Sequence, residues 1–190
     1  MAINLVKGQR ISVGLSKVRV GLGWDPNESD TGYDFDLDAS AFCLGANGKC
    51  PSDSHFVFYG NKYSPDKAVE GAEDDLTGGA TDGDDDEVIT VELPKVASDV
   101  QEIVFVVTIY EHDVRKQNFG QVRNSYIRII DNATDEVLAI YELEEDFSTE
   151  TAIEFGRLYK RGSEWKFEAI GKGYNKGLDF LVEKYGLTVN

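Results

Sequence analysis

The sequence predicts a mainly β protein, a two-sheet antiparallel β-sandwich with Greek-key connections and one or two short helices. About ten short segments are rich in Val, Ile, Phe and Tyr, and turn residues lie between them. The chain lacks the regular alternation of strands and helices that is typical of a parallel α/β fold. Its 190 residues suffice for one domain with a sizeable core, and no Pro- or Ser-rich linker divides them. We therefore expect a single domain over residues 1–190.

The predicted strands follow one another along the whole chain. Gly, Asn, Asp and Pro separate them, as is typical of short antiparallel strands. Two stretches, RIIDNATDEVLAIYEL and YKRGSEWKF, predict hairpins, because a turn sequence joins two such segments. In chain order the segments are RISVGL, VRVGLGW, FDLDASAFCL, HFVFYG, EVITVEL, EIVFVVTIY, SYIRII, VLAIYEL, TAIEFGRLYK and EWKFEAIG.

Two segments have helical character. The first, Glu111–Phe119, is short and polar. The second covers residues 176–186, where apolar residues recur at the spacing of one helix face and Gly186 provides a C-terminal stop. The predicted apolar face consists of Leu178, Leu181, Val182 and Tyr185.

The formal net charge of −16 is concentrated in two stretches. Residues 25–38 contain six acidic residues and no basic one, and residues 66–87 contain ten acidic residues and one lysine. This distribution argues against nucleic-acid binding, which needs a basic surface. No apolar run approaches the roughly 20 residues of a membrane span, and the N-terminus lacks the pattern of a signal peptide. We therefore expect a cytoplasmic protein.

The stretch YDFDLDAS, residues 33–40, alternates acidic and apolar residues. Such alternation predicts a strand with one buried face, which would place Asp34, Asp36 and Asp38 on the other face about 6.6 Å apart. Two such charges repel by roughly 2 kcal/mol at an effective dielectric constant near 20. Either this row is fully solvated or a cation lies against it.

A second acidic cluster lies between Ser64 and Asp86, the only long stretch without strand character. It contains EDDLTGGATDGDDDE, and its glycines would let backbone carbonyls approach a small ligand. An acidic loop of this kind is often simply solvated. The alternative is that the two acidic clusters converge on bound cations, which would offset the repulsion between the carboxylates. Ca²⁺ is a hard cation that takes about six to eight oxygen ligands. The chain has no His/Cys cluster for zinc, and Mg²⁺ retains its waters. We therefore expect Ca²⁺, with more than one ion bound.

Several motifs, in order along nearly the whole chain, are similar to those of the TerD family of bacterial tellurite-resistance and stress proteins. The resemblance implies a cytoplasmic calcium-binding β-sandwich without a known catalytic activity. It also implies a link to resistance against tellurite, phage and colicins. A TerC-type membrane protein is an implied partner, which would place the protein at the inner face of the membrane. The motifs are VGLGWD, DFDLDAS, DSHFVFYGN, SPD, NFGQVRN, DFSTETAIEFGRLYK and EWKFEAIGKGY.

The resemblance also implies calcium ligands at the positions that match the family's motifs. Two departures affect this set: Gly60 stands where the family usually has Asn, and Asp75 replaces an amide. The segment from Thr77 to Glu87 is also about two residues longer than usual. The implied ligands are Asp25, Asp34, Asp36, Asp38, Asn61, Asp74, Asp75, Asp84, Asp85, Asp86 and Glu87, with the choice between Asp84 and Asp86 left open.

Three functions are compatible with these residues. The first is a non-enzymatic, calcium-binding stress-resistance protein that acts as a scaffold or sensor. The second is a calcium-dependent recognition module for a sugar or an anionic lipid. The third is a carboxylate-based hydrolase, but such an enzyme needs one carboxyl group in an apolar setting, which runs such as residues 84–86 do not provide. No nucleophile motif or phosphate-binding loop is present, so no catalytic residue is predicted.

Overall fold

The computed structural model describes residues 2–25, 33–71, 85–143, 147 and 149–188. In these ranges the strands form two sheets, with a large apolar core formed by residues of both, which confirms the predicted β-sandwich. Among the described residues, no helix has the length and apolar character that crossing a membrane would need. The elements are β1 (Ile3–Asn4), β2 (Arg10–Val13), β3 (Lys17–Gly23), β4 (Leu37–Leu44), β5 (Phe56–Val57), β6 (Val69–Glu70), β7 (Glu87–Glu92), β8 (Glu102–Ile109), α1 (His112–Arg115), β9 (Tyr126–Asp131), β10 (Val137–Glu142), β11 (Ala152–Arg161), β12 (Glu164–Glu168), β13 (Lys172–Tyr174) and α2 (Leu178–Lys184).

The first sheet has the strand order β1-β10-β9-β3-β7-β6. The second has the order β2-β12-β11-β8-β4-β5, and β13 also pairs with β11. Among these thirteen described strands, all pairings are antiparallel except that of β1 with β10. Both predicted hairpins are confirmed, as β9–β10 and β11–β12. Gly162, in the turn of the second hairpin, has a φ of +66°, which favours glycine.

The described residues form two apolar cores. The main core lies between the sheets and takes the inward residues of β4, such as Leu37 and Ala41. The outward residues Phe42 and Leu44 belong to a second core, which includes residues of α2. This alternation follows from the two-residue period of a strand.

Helix α2 confirms the predicted C-terminal helix. Leu181 and Val182 on its apolar face, together with Tyr185 just after it, are buried against the outer face of the second sheet. Gly186 follows with a φ of +84°, as expected for a helix stop. Helix α1 is shorter than predicted, since it covers four residues and not Glu111–Phe119. The residues on either side of it, Glu111 and Lys116, have left-handed backbone conformations, which end a helix.

Two strand predictions need correction. The strand predicted to include all three aspartates begins only at Leu37, because the carbonyl groups of Tyr33 and Asp34 accept hydrogen bonds from Gln117 Nε2 at 2.8 and 3.3 Å. These carbonyl groups are therefore held by a side chain and not by a neighbouring strand. In addition, the stretch predicted to lack strands contains β6, which pairs with β7 at the edge of the first sheet.

Candidate functional site

The predicted ligand residues fall into three groups. Asp36, Asp38, Asp86 and Glu87 lie at one end of the sandwich, where β4 and β7 begin. Asp25, Asp34, Asn61 and Asp85 lie around this end, each with its own contacts. Asp74, Asp75 and Asp84 lie outside the described residues.

Asp38 and Glu87 line one small cavity at this end of the sandwich. Both side chains are buried, with 6% and 7% of their residue surface exposed. The cavity has a volume of about 20 Å³. Such a volume holds one guest of the size of a water molecule or a single ion. The other lining residues are Ala39, Phe58, Tyr59, Gly71, Val88 and Ile89.

Glu87 connects the two sheets at this cavity. It is the first residue of β7 and follows the inward face of that strand, whose next inward residues are Ile89 and Val91. Its Oε2 atom accepts a hydrogen bond from the backbone amide of Ala39 in β4, at 2.5 Å. Since Asp38 precedes Ala39, the Glu87 carboxylate of the first sheet contacts the backbone of the second sheet next to Asp38.

Trp24 makes two hydrogen bonds at the same end of the sandwich. It is buried, and its indole Nε1 donates a hydrogen bond to the carbonyl of Phe35 at 3.0 Å. Its backbone amide donates to Asp86 Oδ2 at 2.9 Å. Trp24 therefore connects the segment that carries Asp36, which is itself buried, to the segment that carries Asp86.

Asp85 has a different environment from its neighbours. Its side chain lies over Gly21 on the outer face of the first sheet, where a β carbon added to Gly21 would collide with Asp85 Oδ2. Arg128 Nε donates to Asp85 Oδ1 at 2.9 Å, and only 6% of the Asp85 side chain is exposed. Burial, reinforced by the negative charge of Asp85, raises the pKa of Tyr126 to about 12. The charge of Asp85 is therefore compensated by Arg128 on a face that Asp38 does not share.

The remaining described candidates lie near the rim but have local contacts. Asp25 is exposed, and its Oδ2 accepts a hydrogen bond from Asn124 Nδ2 at 2.6 Å. Asp34 is exposed as well. The amide of Asn61 donates to the carbonyls of Phe56 and Ser54, which closes the loop after β5.

Sequence reasoning did not assign a role to three residues around this site. Gln117 and Arg115 hold the backbone ahead of β4, Arg115 through a hydrogen bond of 3.2 Å from NH1 to the Asp34 carbonyl. Tyr59 lines the cavity. The DSHFVFYGN motif contains Tyr59, and the predicted helix Glu111–Phe119 contains Arg115 and Gln117, but neither signal indicated these contacts.

The described carboxylates form only part of a possible ion site. Over the described ranges, no three or more His, Cys, Asp or Glu side chains are grouped closely enough to hold a metal ion. Asp38 and Glu87 supply hard oxygen donors of the kind that Ca²⁺ prefers. Further ligands would have to come from elsewhere, and the predicted ligands Asp74, Asp75 and Asp84 belong to the segment that follows Gly71 at the cavity wall.

Comparison with known proteins gives consistent matches over the whole chain. The family model described as the TerD domain matches residues 1–185. General stress protein 16U of Bacillus subtilis (strain 168) is 49% identical, and the tellurium resistance protein TerD of Serratia marcescens is 45% identical; each alignment covers 100% of both chains. A crystal structure of a homologue of the telluride resistance protein TerD from Streptomyces coelicolor A3(2) has a TM-score of 0.72 at 23% identity. It covers 89% of this chain and 95% of that one, and it supports the fold.

Proposed function

Because this chain belongs to the TerD family of tellurium resistance and stress response proteins, we propose that it is a calcium-binding stress-resistance protein whose ion lies beside Asp38 and Glu87. The observation that carries the proposal is the shared cavity of these two buried carboxylates, which come from different sheets. Carboxylate oxygens are hard donors of the kind that Ca²⁺ prefers. A divalent cation bound at the cavity would lie beside both negative charges.

The proposed ligand set extends beyond these two residues. Asp36 and Asp86 lie beside them in sequence and at the same end of the sandwich. Asp74, Asp75 and Asp84 are proposed from the sequence alone. Carboxylate and carbonyl oxygens are the ligands that Ca²⁺ takes, and Gly71 lines the cavity beside the two carboxylate residues.

The size of the cavity suits an ion. Its volume of about 20 Å³ fits one guest of the size of a water molecule or a single ion. The names of the relatives describe resistance and stress response, not a catalytic activity. A bound ion would instead connect the first sheet to the second through Glu87 and Asp38. The role as scaffold or sensor, the cytoplasmic location and the membrane partner stay predictions.

Calorimetric titration of the EDTA-treated protein with Ca²⁺ tests the proposal, with Mg²⁺ as the competing ion. We expect saturable calcium binding and a weaker response to Mg²⁺. At a calcium concentration of about 100 times Kd, binding to the native state stabilises it by about 2.7 kcal/mol, which urea unfolding detects. Asp38→Asn and Asp36→Asn remove charge from the ligand set and are expected to weaken binding about tenfold or more.

Glu136→Gln is the matched control, because it removes one acidic charge from an exposed position in the turn between β9 and β10. Its calcium affinity should equal that of the wild type. Unchanged affinity in both aspartate variants would contradict the site, and absence of any calcium binding would contradict the function.

A further inference from the structure

Three tyrosines form an exposed patch at the same end of the second sheet. Tyr33, Tyr59 and Tyr110 are 58%, 62% and 41% exposed. Tyr110 directly follows β8, Tyr59 follows β5 by two residues, and Tyr33 precedes β4. Since β4 is antiparallel to both β5 and β8, these three points lie at one end of the sheet. We call these residues the tyrosine patch.

The tyrosine rings are close enough to act together. The guanidinium carbon of Arg115 lies 5.4 Å from the ring centre of Tyr33 and 5.2 Å from that of Tyr110. Tyr59 lies at the same end of the sheet, because β5, which it follows, pairs with β4 next to β8. Only 17% of the Arg115 side chain is exposed. The patch therefore presents the tyrosine rings to solvent, and the guanidinium group lies largely beneath them.

The surrounding structure holds the patch in place. Tyr33 is fixed through its carbonyl, which accepts a hydrogen bond from Gln117 at 2.8 Å. The backbone amide of Tyr110 donates to the carbonyl of Asp36 at 2.8 Å. Tyr59 packs edge-on against Phe58 at 5.0 Å, and Phe58 stacks on Phe56 at 4.4 Å, which leads into the second core. Rings that are already ordered lose little conformational freedom when a partner binds.

The charges next to the patch tyrosines include exposed carboxylates. Asp34, Glu111 and Asp113 are all exposed and lie next to the patch tyrosines or within three residues of them. Two basic side chains near the patch are paired with glutamates: Arg115 with Glu111 at 3.5 Å and Lys62 with Glu70 at 3.9 Å. The whole chain carries a net charge of −16. A tyrosine ring attracts a cation placed over its face, as it does here with Arg115. Rings and carboxylates together therefore complement ammonium and guanidinium groups.

We propose that the tyrosine patch is a docking surface for a lysine- or arginine-rich segment of a partner protein. Tyrosine is enriched at protein interfaces because its ring is apolar and its hydroxyl group is polar. The negative surroundings disfavour an anionic lipid surface and favour a cationic partner, by the same charge complementarity that sets partner choice in protein complexes. The proposal concerns described residues only and does not depend on calcium, although Tyr59 also lines the cavity of Asp38 and Glu87.

Fluorescence anisotropy with a fluorescein-labelled oligolysine peptide, in buffer with EDTA, tests the proposal. The combined variant Tyr33→Ser, Tyr59→Ser and Tyr110→Ser removes the rings but leaves the net charge unchanged. If the rings contribute as proposed, Kd rises about tenfold. General attraction to an acidic protein predicts no change, and that result would overturn the proposal.

Two further variants complete the design. Tyr63→Ser removes a tyrosine that is 44% exposed, contacts Lys62 and Glu70, and lies outside the patch; its Kd should stay within about twofold of the wild type. The triple Tyr→Phe variant keeps the ring faces and should bind like the wild type. It tests the role of the rings in a variant that retains their packing, which the serine variant does not. Equal binding of an oligoglutamate peptide, or binding of an oligosaccharide but not of oligolysine, would overturn the cationic assignment.

Discussion

Glu87, the first residue of β7 in the first sheet, accepts a hydrogen bond from the backbone amide of Ala39 in the second sheet at 2.5 Å. Strand β5 pairs with Ala41 and Phe42 of β4 and does not extend to Ala39. The Glu87 carboxylate therefore accepts a hydrogen bond from the part of β4 that β5 does not cover. This contact ties the two sheets together at the same point where Glu87 and Asp38 share a cavity.

Two substitutions at Glu87 separate its structural role from its proposed role as a ligand. Glu87→Gln keeps an oxygen that can accept the hydrogen bond from Ala39 but removes the charge. We expect nearly unchanged stability in EDTA and weaker calcium binding. Glu87→Ala leaves the amide of Ala39 without this acceptor, which should cost about 1–3 kcal/mol in urea unfolding even without calcium. If Glu87→Gln bound calcium as tightly as the wild type, Glu87 would have a structural role alone.

Asp66 is predicted to make stability depend on acid pH. Its carboxylate accepts hydrogen bonds from Ser64 Oγ at 2.6 Å and from the amides of Ala68 and Ala97 at 2.9 Å. Partial burial acts to raise its pKa, but these hydrogen bonds outweigh burial, and the pKa lies below its ordinary value. A depressed folded-state pKa contributes stability above the unfolded-state pKa of about 3.9, and this contribution is lost as pH falls through the folded-state pKa.

In Asp66→Asn, the side-chain NH₂ group, a donor, replaces an oxygen that accepts hydrogen bonds from Ser64 or the backbone amides. We expect the free energy of unfolding to fall by about 1–3 kcal/mol near pH 6. Because only the wild type loses the contribution of the charged carboxylate in acid, the difference between the two proteins should shrink below about pH 4. Urea unfolding at a series of pH values measures this. Asp99→Asn, at an exposed position, should change stability by less than about 0.5 kcal/mol throughout. A difference that stays constant down to about pH 2 would refute the linkage.

The sandwich was predictable because its signals are local. The alternation of β-branched and aromatic residues and the turn residues between them are visible within a few positions, and so is the apolar face of α2. Strands β1, β6 and β13 were not predicted. They have two or three residues each and depend on pairing with a longer strand, so their own sequences carry little signal.

The start of β4 and the grouping of the acidic residues depend on distant contacts. Gln117 is 84 positions from Tyr33, yet it holds the backbone ahead of the strand. Asp85 and Asp86 are neighbours in sequence, but Arg128 pairs with the first and the amide of Trp24 donates to the second. Composition alone cannot separate the two. It also cannot show that Tyr59 is exposed while the next aromatic residue before it, Phe58, is partly buried against the second core.

Helix α2 is fastened to the second sheet by a buried ionic group in addition to its apolar face. Glu154 of β11 has 4% of its side chain exposed. Its Oε1 atom accepts hydrogen bonds from Lys184 Nζ and from the hydroxyl of Tyr185, both at 2.6 Å. Lys184 also donates to the hydroxyl of Tyr174 at 2.9 Å. Removal of Lys184 would leave the Glu154 carboxylate buried without its cation.

We therefore expect Lys184→Met to destabilise the protein by about 3 kcal/mol, at the low end for a broken buried pair because a third of the Lys184 side chain is exposed. Tyr185→Phe should cost about 1.5–3 kcal/mol, as for a hydrogen bond to a charged group. Since both side chains bind the same oxygen, the double variant should lose less than the sum of the two. Lys95→Met, which removes the exposed pair with Glu92, should cost at most about 1 kcal/mol.

The contribution of Lys184 should also fade in alkali. Burial lowers its pKa, but the hydrogen bonds to Glu154 and Tyr174 outweigh burial, and the pKa is raised above its ordinary value. A raised folded-state pKa contributes stability that is fully present below the unfolded-state pKa of about 10.4 and is lost as pH rises through the folded-state pKa. The difference in unfolding free energy between the wild type and Lys184→Met should therefore be constant from about pH 6 to 9 and decrease above about pH 10.5. A difference that stayed the same in alkali would mean that Lys184 acts through the packing of its methylene groups and not through its charge.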